Sequence, residues 1–225
     1  MNTLTCLAIC ISHPEANETL MRNAATWPIA DCHFAGCEHE DAAPMSWPPG
    51  TSPILRIGQN GNPYGPTRPL LNRFLRVFQW CATEGRKMGY ESFCTFEADV
   101  VFVRAVPNVS DKPLGTLAGG NSPGFLGSQY FHPPWLIPAK LMPRIVGYFE
   151  RMVRAGPDER GFPDRFVGRM GDLHPDVAFQ HSGNFSQNTL DRPEYLAAAI
   201  EAIKRPDCFA VHGVKSDSQL KALGL

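Results

Sequence analysis

The stretch FCTFEADVVFV, residues 93–103, decides the fold. Glu97 and Asp99, separated by one residue, interrupt an apolar run that is typical of a buried strand. Burying a charge is costly unless a partner compensates it. Neither Lys nor Arg lies within five residues upstream of Glu97, so the local sequence offers no ion pair. The acidic pair therefore requires a partner from elsewhere in the chain, or a bound cation.

The composition is that of a folded globular protein. The chain has 225 residues, 43% of them hydrophobic and 19% charged, with a formal net charge of −1. These values exclude a disordered chain and give no bulk electrostatic argument for binding nucleic acid or membranes. The apolar run at residues 4–11 has no basic residue before it and is too short to span a bilayer, so it predicts a buried strand, with no signal peptide or membrane span. Seven cysteines without a CxxC pair favour free thiols in a reducing, cytoplasmic setting.

Strand and helix patterns alternate along the first hundred residues. Apolar runs predict strands at residues 4–11, 32–36 and 54–57, and the stretch above predicts one strand into the acidic pair and another out of it. Ser12, with Glu15 three residues later, predicts a capping box for a helix to about residue 27. Helical spacing of apolar residues predicts further helices from residue 67 to about Gly85 or Gly89, and at residues 143–154 and 193–204. This order predicts an α/β fold with a mainly parallel sheet in the first half.

The spacing of the acidic pair suggests a metal site. In an extended strand, Glu97 and Asp99 lie on the same face. Mg²⁺ and Mn²⁺ prefer oxygen ligands and commonly combine one or two carboxylates with substrate phosphates. Open α/β sheets bind ligands at the C-terminal ends of their strands. The alternative is a solvated turn between two strands, because acid-x-acid triplets are frequent.

The apolar strand that ends in Glu97-Ala98-Asp99 resembles the GT-A fold of nucleotide-sugar glycosyltransferases, in which such a strand ends in a D-x-D or E-x-D motif. The resemblance implies a single GT-A-like domain over residues 1–225, with a Rossmann-type mixed sheet, a nucleotide-binding half at 1–104 and an acceptor-binding half at 105–225. It also implies that Asp99 is the main ligand of Mn²⁺ or Mg²⁺. Glu97 would then help to bind the metal or contact the donor, a nucleoside-diphosphate sugar that we expect to be a UDP-sugar.

A late histidine extends the resemblance. Several GT-A enzymes, including glycogenin-like ones, supply such a histidine to the metal and a nearby lysine to the diphosphate. The stretch CFAVHGVKS, residues 208–216, is similar and implies His212 as third metal ligand and Lys215 as a phosphate contact. The glycogenin-like motif continues to Lys-Pro-Trp, whereas Ser216 follows Lys215 here. Taken alone, His212 reads as an ordinary histidine at a strand end.

The N-terminal stretch LAICISHPEA, residues 7–16, is similar to the family's first strand and its loop. By that likeness Ile11, Ser12 and His13 line the pocket for the base. Further candidates for contacts with the base or ribose are Asp31, Glu38, Glu40 and Asp41, and those for the diphosphate or acceptor are Arg73 and Arg68.

The catalytic base and the acceptor are less well defined. Asp164, in GFPDRFVGRM, matches the acid that serves as general base in inverting GT-A enzymes, although it also suits a helix N-cap. Asp158, Asp172 and Asp176 compete with it, so the stereochemistry stays open. Sugar-contacting candidates are His181–Asn184, which equally suit a tight polar turn, and the segment around Tyr130, His132 and Trp135, although aromatic residues more often belong to the core.

Several alternatives remain open. The acceptor hydroxyl could belong to a glycan, a small molecule or a hydroxymethylated base in DNA, the last because the basic residues between Arg56 and Lys87 could contact a polyanion. Cys32, His33, Cys37 and His39 could form a zinc cluster by residue type, but not by standard spacing. A nucleotidyltransferase is the alternative enzyme, although the loop SHPEANE lacks the Gly-rich basic character typical of one. A nucleotide-sugar-binding protein without turnover is the non-enzymatic alternative.

Overall fold

The structure is a computed structural model and describes residues 6–12, 14–27, 32–40, 43–57, 69–107, 116–121, 131–155, 178–186, 190–206 and 208–225. The strands in these ranges are β1 Cys6–Ile11, β2 Cys32–His39, β3 Ile54–Ile57, β4 Ser92–Glu97, β5 Val100–Phe102, β6 Thr116–Asn121, β7 Phe131–Pro138, β8 Ala178–Ser186 and β9 Ala210–His212. The helices are α1 Asn17–Ala24, α2 Pro69–Trp80, α3 Met142–Ala155, α4 Pro193–Lys204 and α5 Asp217–Leu223. A 3₁₀ turn, Pro14–Ala16, precedes α1, and a π-helical turn, Cys81–Gly85, extends α2.

The strands form one mixed sheet in the order β3-β2-β1-β4-β7-β6-β8-β9-β5. Parallel pairs join β1 to β2 and β4, β2 to β3, and β8 to β6 and β9. Antiparallel pairs join β7 to β4 and β6, and β5 to β9. The predicted fold class, an α/β fold with a mixed and mainly parallel sheet flanked by helices, is confirmed. No helix within the described ranges is both long and apolar enough to cross a membrane.

The sheet is strongly curved, and this curvature positions the site. Only Ala98 and Asp99 separate β4 from β5, so the two strand ends are at most about 11 Å apart. In the sheet order, however, β5 lies five positions from β4, which would be about 24 Å in a flat sheet. Register shifts in β6, against both β7 and β8, are the kind of irregularity that bends strands. The β9–β5 end of the sheet therefore returns to the C-terminal end of β4.

Strand β1 is buried on both of its faces because helices cover the sheet on both sides. Leu7, Ile9 and Ile11 belong to a core cluster that includes α2 and α3, while Cys6, Ala8 and Cys10 belong to a cluster that includes Leu20 of α1. The predicted apolar face of α2 is confirmed at its described positions, where the buried residues are Phe74, Val77, Phe78 and Cys81. A third cluster joins β5 and β9 to α4 and α5, and thereby anchors the returning end of the sheet.

Several predicted element details are wrong. Ser12 does not cap α1, because the 3₁₀ turn intervenes and Ala16 is the N-cap residue, with no side-chain capping bond. Ser12 instead extends the β1–β2 pairing, since its backbone N–H donates to the Cys37 carbonyl at 3.1 Å. The aromatic segment around Trp135 is strand β7, although prolines are unusual inside a sheet. Pro133 and Pro134 fall where the β6–β7 register shifts, which explains their tolerance.

The second half of the chain also differs from the prediction. Strand β8, Ala178–Ser186, includes His181–Asn184, so these residues do not form the polar turn that was the alternative to a sugar contact. Helix α5 was not predicted, whereas α4 has the predicted bounds, Pro193–Lys204.

Candidate functional site

The turn between β4 and β5 brings the acidic pair to the C-terminal end of a central strand. Glu97 is the last residue of β4 and lies beside Ile11 in the parallel register with β1. Asp99 lies in the turn, not in an extended strand as predicted. Its carbonyl accepts hydrogen bonds from the backbone N–H groups of Gly213 and Val214, both at 3.0 Å. The turn is therefore attached directly to the loop that follows β9.

His212 lies between the two carboxylates. It is the last residue of β9 and pairs with Val100 of β5, and only 4% of its surface is exposed. Its Nε2 atom is 3.1 Å from Glu97 Oε2 and 3.1 Å from Asp99 Oδ1. The structure thus brings together the residues predicted as metal ligands from distant parts of the chain.

This cluster has the donor set of a divalent-cation site. One potential ligand atom from each of Glu97, Asp99 and His212 lies within 4.8 Å of the other two. Within the described part of the chain, no other group of three such side chains converges in this way. Two carboxylate oxygens and an imidazole nitrogen suit Mn²⁺ or another divalent cation that accepts both oxygen and nitrogen ligands. The cluster could therefore hold a metal ion.

The imidazole of His212 and the carboxylate of Asp99 shift each other's pKa. Burial alone would lower the pKa of His212, but the neighbouring carboxylates of Asp99 and Glu97 raise the pKa to about 10. Burial would likewise raise the pKa of Asp99, but His212 and Lys215 hold that pKa below its ordinary value. In the metal-free protein a proton on His212 thus compensates the acidic pair. A divalent cation could replace this proton, because both neutralise the same carboxylates.

A cavity of about 340 Å³ opens beside the cluster. Its walls include three predicted ligand-contacting residues, Ile11, Arg73 and Lys215, together with the Glu97, Asp99 and His212 cluster. Glu15, Ala16 and Thr19 also line the cavity, and the sequence did not predict them as site residues. Glu15 and Ala16 belong to the 3₁₀ turn between β1 and α1, and Thr19 lies in α1.

Within the described ranges, the other predicted contacts with the base, ribose or diphosphate do not line the cavity. Ser12 is fully buried, and its carbonyl accepts a hydrogen bond from Arg73 Nη1 at 2.9 Å, so it holds Arg73 and does not line the cavity. Glu38 is also buried and accepts a hydrogen bond from the Met45 backbone N–H at 2.9 Å, which ties down the loop after β2. The predicted residues that lie outside the described ranges are His13, Asp31, Asp41, Arg68, Tyr130, Asp158, Asp164, Asp172 and Asp176.

Lys215 is held by its backbone and exposed at its side chain. Its N–H donates to Gln219 Oε1 at 2.6 Å, and its carbonyl accepts from Arg22 Nη1 at 2.9 Å. The ammonium nitrogen lies 3.9 Å from Asp99 Oδ2, while 62% of the side chain remains exposed. Lys215 therefore presents a positive charge at the rim of the cavity, on a backbone that is fixed from two sides.

The zinc alternative lacks support in the described residues. Cys37 is buried in the core cluster on one face of the sheet, while Cys32 packs against the cluster on the other face. Side chains of opposite orientation cannot ligate one ion without a break in the strand. All seven cysteines lie in the described ranges, and none of them forms a disulfide. The basic residues proposed as a DNA-binding patch are in part engaged locally, since Arg56 donates to the Glu40 carbonyl and Lys87 pairs with Glu84.

Comparison with known proteins supports the fold assignment. No protein-family model matches the sequence, and no curated protein sequence is significantly similar to it. The fold is similar to that of a solved structure, "crystal structure of a glycosyltransferase involved in the glycosylation of the major capsid of PBCV-1". The TM-score is 0.54 with 13% sequence identity, over 98% of this chain and 100% of that chain. At this identity, the likeness shows that the two proteins share a fold.

Proposed function

We propose that this protein is a metal-dependent glycosyltransferase, which moves a sugar from a nucleoside-diphosphate sugar to an acceptor hydroxyl. The convergence of Glu97, Asp99 and His212 at one cavity wall carries the proposal. The cluster follows a central strand, at the edge where open α/β sheets bind ligands. The fold that this chain shares with a glycosyltransferase supports the same assignment.

Asp99, Glu97 and His212 would hold the metal, for which we propose Mn²⁺ or Mg²⁺. His212 would bind through Nε2, the nitrogen that faces both carboxylates, and must first lose its proton. When bound, the cation would neutralise the negative charge on the leaving diphosphate. The chain itself orients the ligands, because backbone hydrogen bonds from the residues after His212 fix the Asp99 carbonyl.

The remaining cavity walls suit a nucleotide diphosphate. Arg73 and Lys215 supply positive charge on the walls that also carry the carboxylates. Arg73 is oriented by its bond to the Ser12 carbonyl, so its guanidinium is held in position before a ligand arrives. Ile11, beside Glu97, offers an apolar surface for the base, for which we propose uracil. The cavity of about 340 Å³ is within the range of small-molecule sites.

For the acceptor side of the reaction, our assignments are based on the sequence alone. Asp164 is our candidate for the general base that takes the proton of the acceptor hydroxyl. We propose a glycan or small molecule as acceptor, with a hydroxymethylated base in DNA as a further option.

Product analysis with UDP-sugars and Mn²⁺ tests the proposal. We expect slow release of free sugar and UDP without an acceptor, abolished in Asp99→Asn and by EDTA. A nucleotidyltransferase would instead release pyrophosphate, and a binding protein would show ligand-induced thermal stabilisation without any product. Full donor hydrolysis by Asp99→Asn in the presence of Mn²⁺ would contradict the metal role.

A further inference from the structure

Asn23 in α1 connects the two loops that form the cluster. It is fully buried, and its side-chain amide donates both of its N–H groups. One goes to the carbonyl of Ala98 at 2.9 Å, and the other to the carbonyl of Val214 at 3.2 Å. Ala98 lies between Glu97 and Asp99, and Val214 lies between His212 and Lys215. One side chain therefore bridges the acidic turn and the loop after β9.

These bonds complete a small network across the two loops. The Asp99 carbonyl accepts from the N–H groups of Gly213 and Val214, while Asn23 donates to the carbonyls of Ala98 and Val214. Val214 is thus bound through both its N–H and its carbonyl. The network lies next to all three side chains of the cluster, because Asp99 belongs to the first loop, and Glu97 and His212 are the strand residues that directly precede the two loops.

The position is unfavourable for asparagine on local grounds. Asn is a weak helix former, and α1 is an eight-residue helix with Asn23 in its last turn. Its Oδ1 is buried with no hydrogen-bond partner among the described residues. A flipped amide would place Oδ1 against two carbonyl oxygens, so the orientation with both N–H groups donating is fixed. A residue with two donors in a short side chain fits this requirement, and the isosteric Asp does not.

We propose that Asn23 is a positioning residue for the metal cluster, which sets the distance between the acidic pair and His212. The inference rests on the metal site proposed above, and goes beyond it by assigning a role to a residue that contacts no ligand. Residues that orient metal ligands typically contribute about 10- to 100-fold to metal affinity. We expect an effect near the lower end of that range, because Asn23 acts on the ligands through the backbone.

Mn²⁺ titration of matched variants tests the role. Asn23→Leu removes both donors at similar volume, and we expect it to weaken Mn²⁺ binding about tenfold. Thr26→Val is the matched control on the segment that follows α1, since the Thr26 hydroxyl accepts from the Phe102 N–H at 3.3 Å and donates to the Asn23 carbonyl at 2.7 Å. We expect Thr26→Val to lower the melting temperature and leave Mn²⁺ affinity unchanged. Should Asn23→Leu not fold, Asn23→Ser replaces it, because the smaller hydroxyl keeps one donor.

Three results would overturn the inference: wild-type Mn²⁺ affinity in the folded Asn23 variants, an equal loss in Thr26→Val, or unchanged His212 imidazole NMR signals in metal-free Asn23→Ser. The last readout needs no metal, so it tests Asn23 even where the wild-type protein shows no saturable Mn²⁺ binding. That absence would contradict the proposed metal site itself, and the two failures are therefore distinguishable.

Discussion

Replacing Asp99 by Asn removes one of the two charges that hold the proton on His212. The two side chains are nearly isosteric, so the change is chiefly electrostatic. Burial lowers and the carboxylates raise the pKa of His212, from 6.5 to about 10. At pH 7, about 3 units below the pKa of about 10 in the folded protein, the shift corresponds to about 4 kcal/mol of folding free energy, at about 1.4 kcal/mol per unit. Glu97 and Asp99 lie equally close to Nε2, but Asp99 contributes more to the raised pKa, so we assign at least half of this free energy, about 2 kcal/mol, to Asp99.

The metal-free Asp99→Asn protein should therefore unfold at a lower temperature. For a chain of this length 1 kcal/mol shifts the melting temperature by about 2–4 °C, so we expect a decrease of about 4–8 °C in EDTA at pH 7. The direction in which the stability difference changes with pH follows from the raised pKa of His212. Its stabilising contribution is fully present below about pH 6.5 and is lost as the pH rises through about 10, so the difference between the two proteins should narrow at high pH.

Differential scanning calorimetry with and without Mn²⁺ measures both effects. Asp217→Asn is the matched control, because the Asp217 carboxylate pairs with Arg22 at 2.5 Å but is 72% exposed, and such a pair contributes about 0–1 kcal/mol. Mn²⁺ should stabilise the wild type and Asp217→Asn, but not Asp99→Asn. Unchanged or greater stability of Asp99→Asn in EDTA would refute the reasoning, since it would mean that the carboxylates repel each other without a protonated His212 between them.

Three further outcomes follow from the same site. Because Mn²⁺ must displace the His212 proton, its apparent affinity should rise about tenfold per pH unit between pH 6 and 8, with proton release detectable by calorimetry in two buffers. Arg73→Gln should weaken UDP binding about tenfold in a competition assay, with unchanged Mn²⁺ affinity as its control. Gln219→Ala should lower stability by about 1 kcal/mol in thermal unfolding, because it removes the capping box with Ser216 and the acceptor for the Lys215 N–H.

The sequence predicts the parts of the fold whose pattern is local. Strands β1, β3 and β4 are apolar runs, and the amphipathic spacing of α2 and α4 marks both helices. The secondary-structure predictions that were wrong concern residues whose conformation depends on tertiary contacts. Strand β7 contains two prolines, which are tolerated because the β6–β7 register shifts there. Ser12 continues the β1–β2 pairing, although its residue type and its spacing from Glu15 are those of a helix N-cap. Both depend on neighbouring strands that a local pattern does not contain.

The residues of the candidate site likewise differ in whether the sequence predicts them. Glu97 and Asp99 can be found because charge inside an apolar run is anomalous, whereas the prediction of His212 rests on the resemblance of residues 208–216 to the late histidine stretch of GT-A enzymes. Asn23 has no comparable signal, since its partners are 75 and 191 residues away in the chain. Glu15 reaches the cavity from a 3₁₀ turn that the sequence pattern predicts as the start of a helix, and Thr19 reaches it from α1. Residues that position a site are thus harder to predict than those that perform its chemistry.

The curvature of the sheet explains why the compensating partner of the acidic pair comes from so far along the chain. Strand β4 ends in the middle of the sheet, and the chain passes through Asp99 directly to β5 at the far edge. That passage is possible only if the far edge has returned to β4, and β9 is the strand that pairs with β5 there. Any residue at the end of β9 is consequently delivered to the acidic turn. The choice of histidine at that position, with a donor from α1 fixing both loops, makes the junction a site where a proton and a divalent cation can compete.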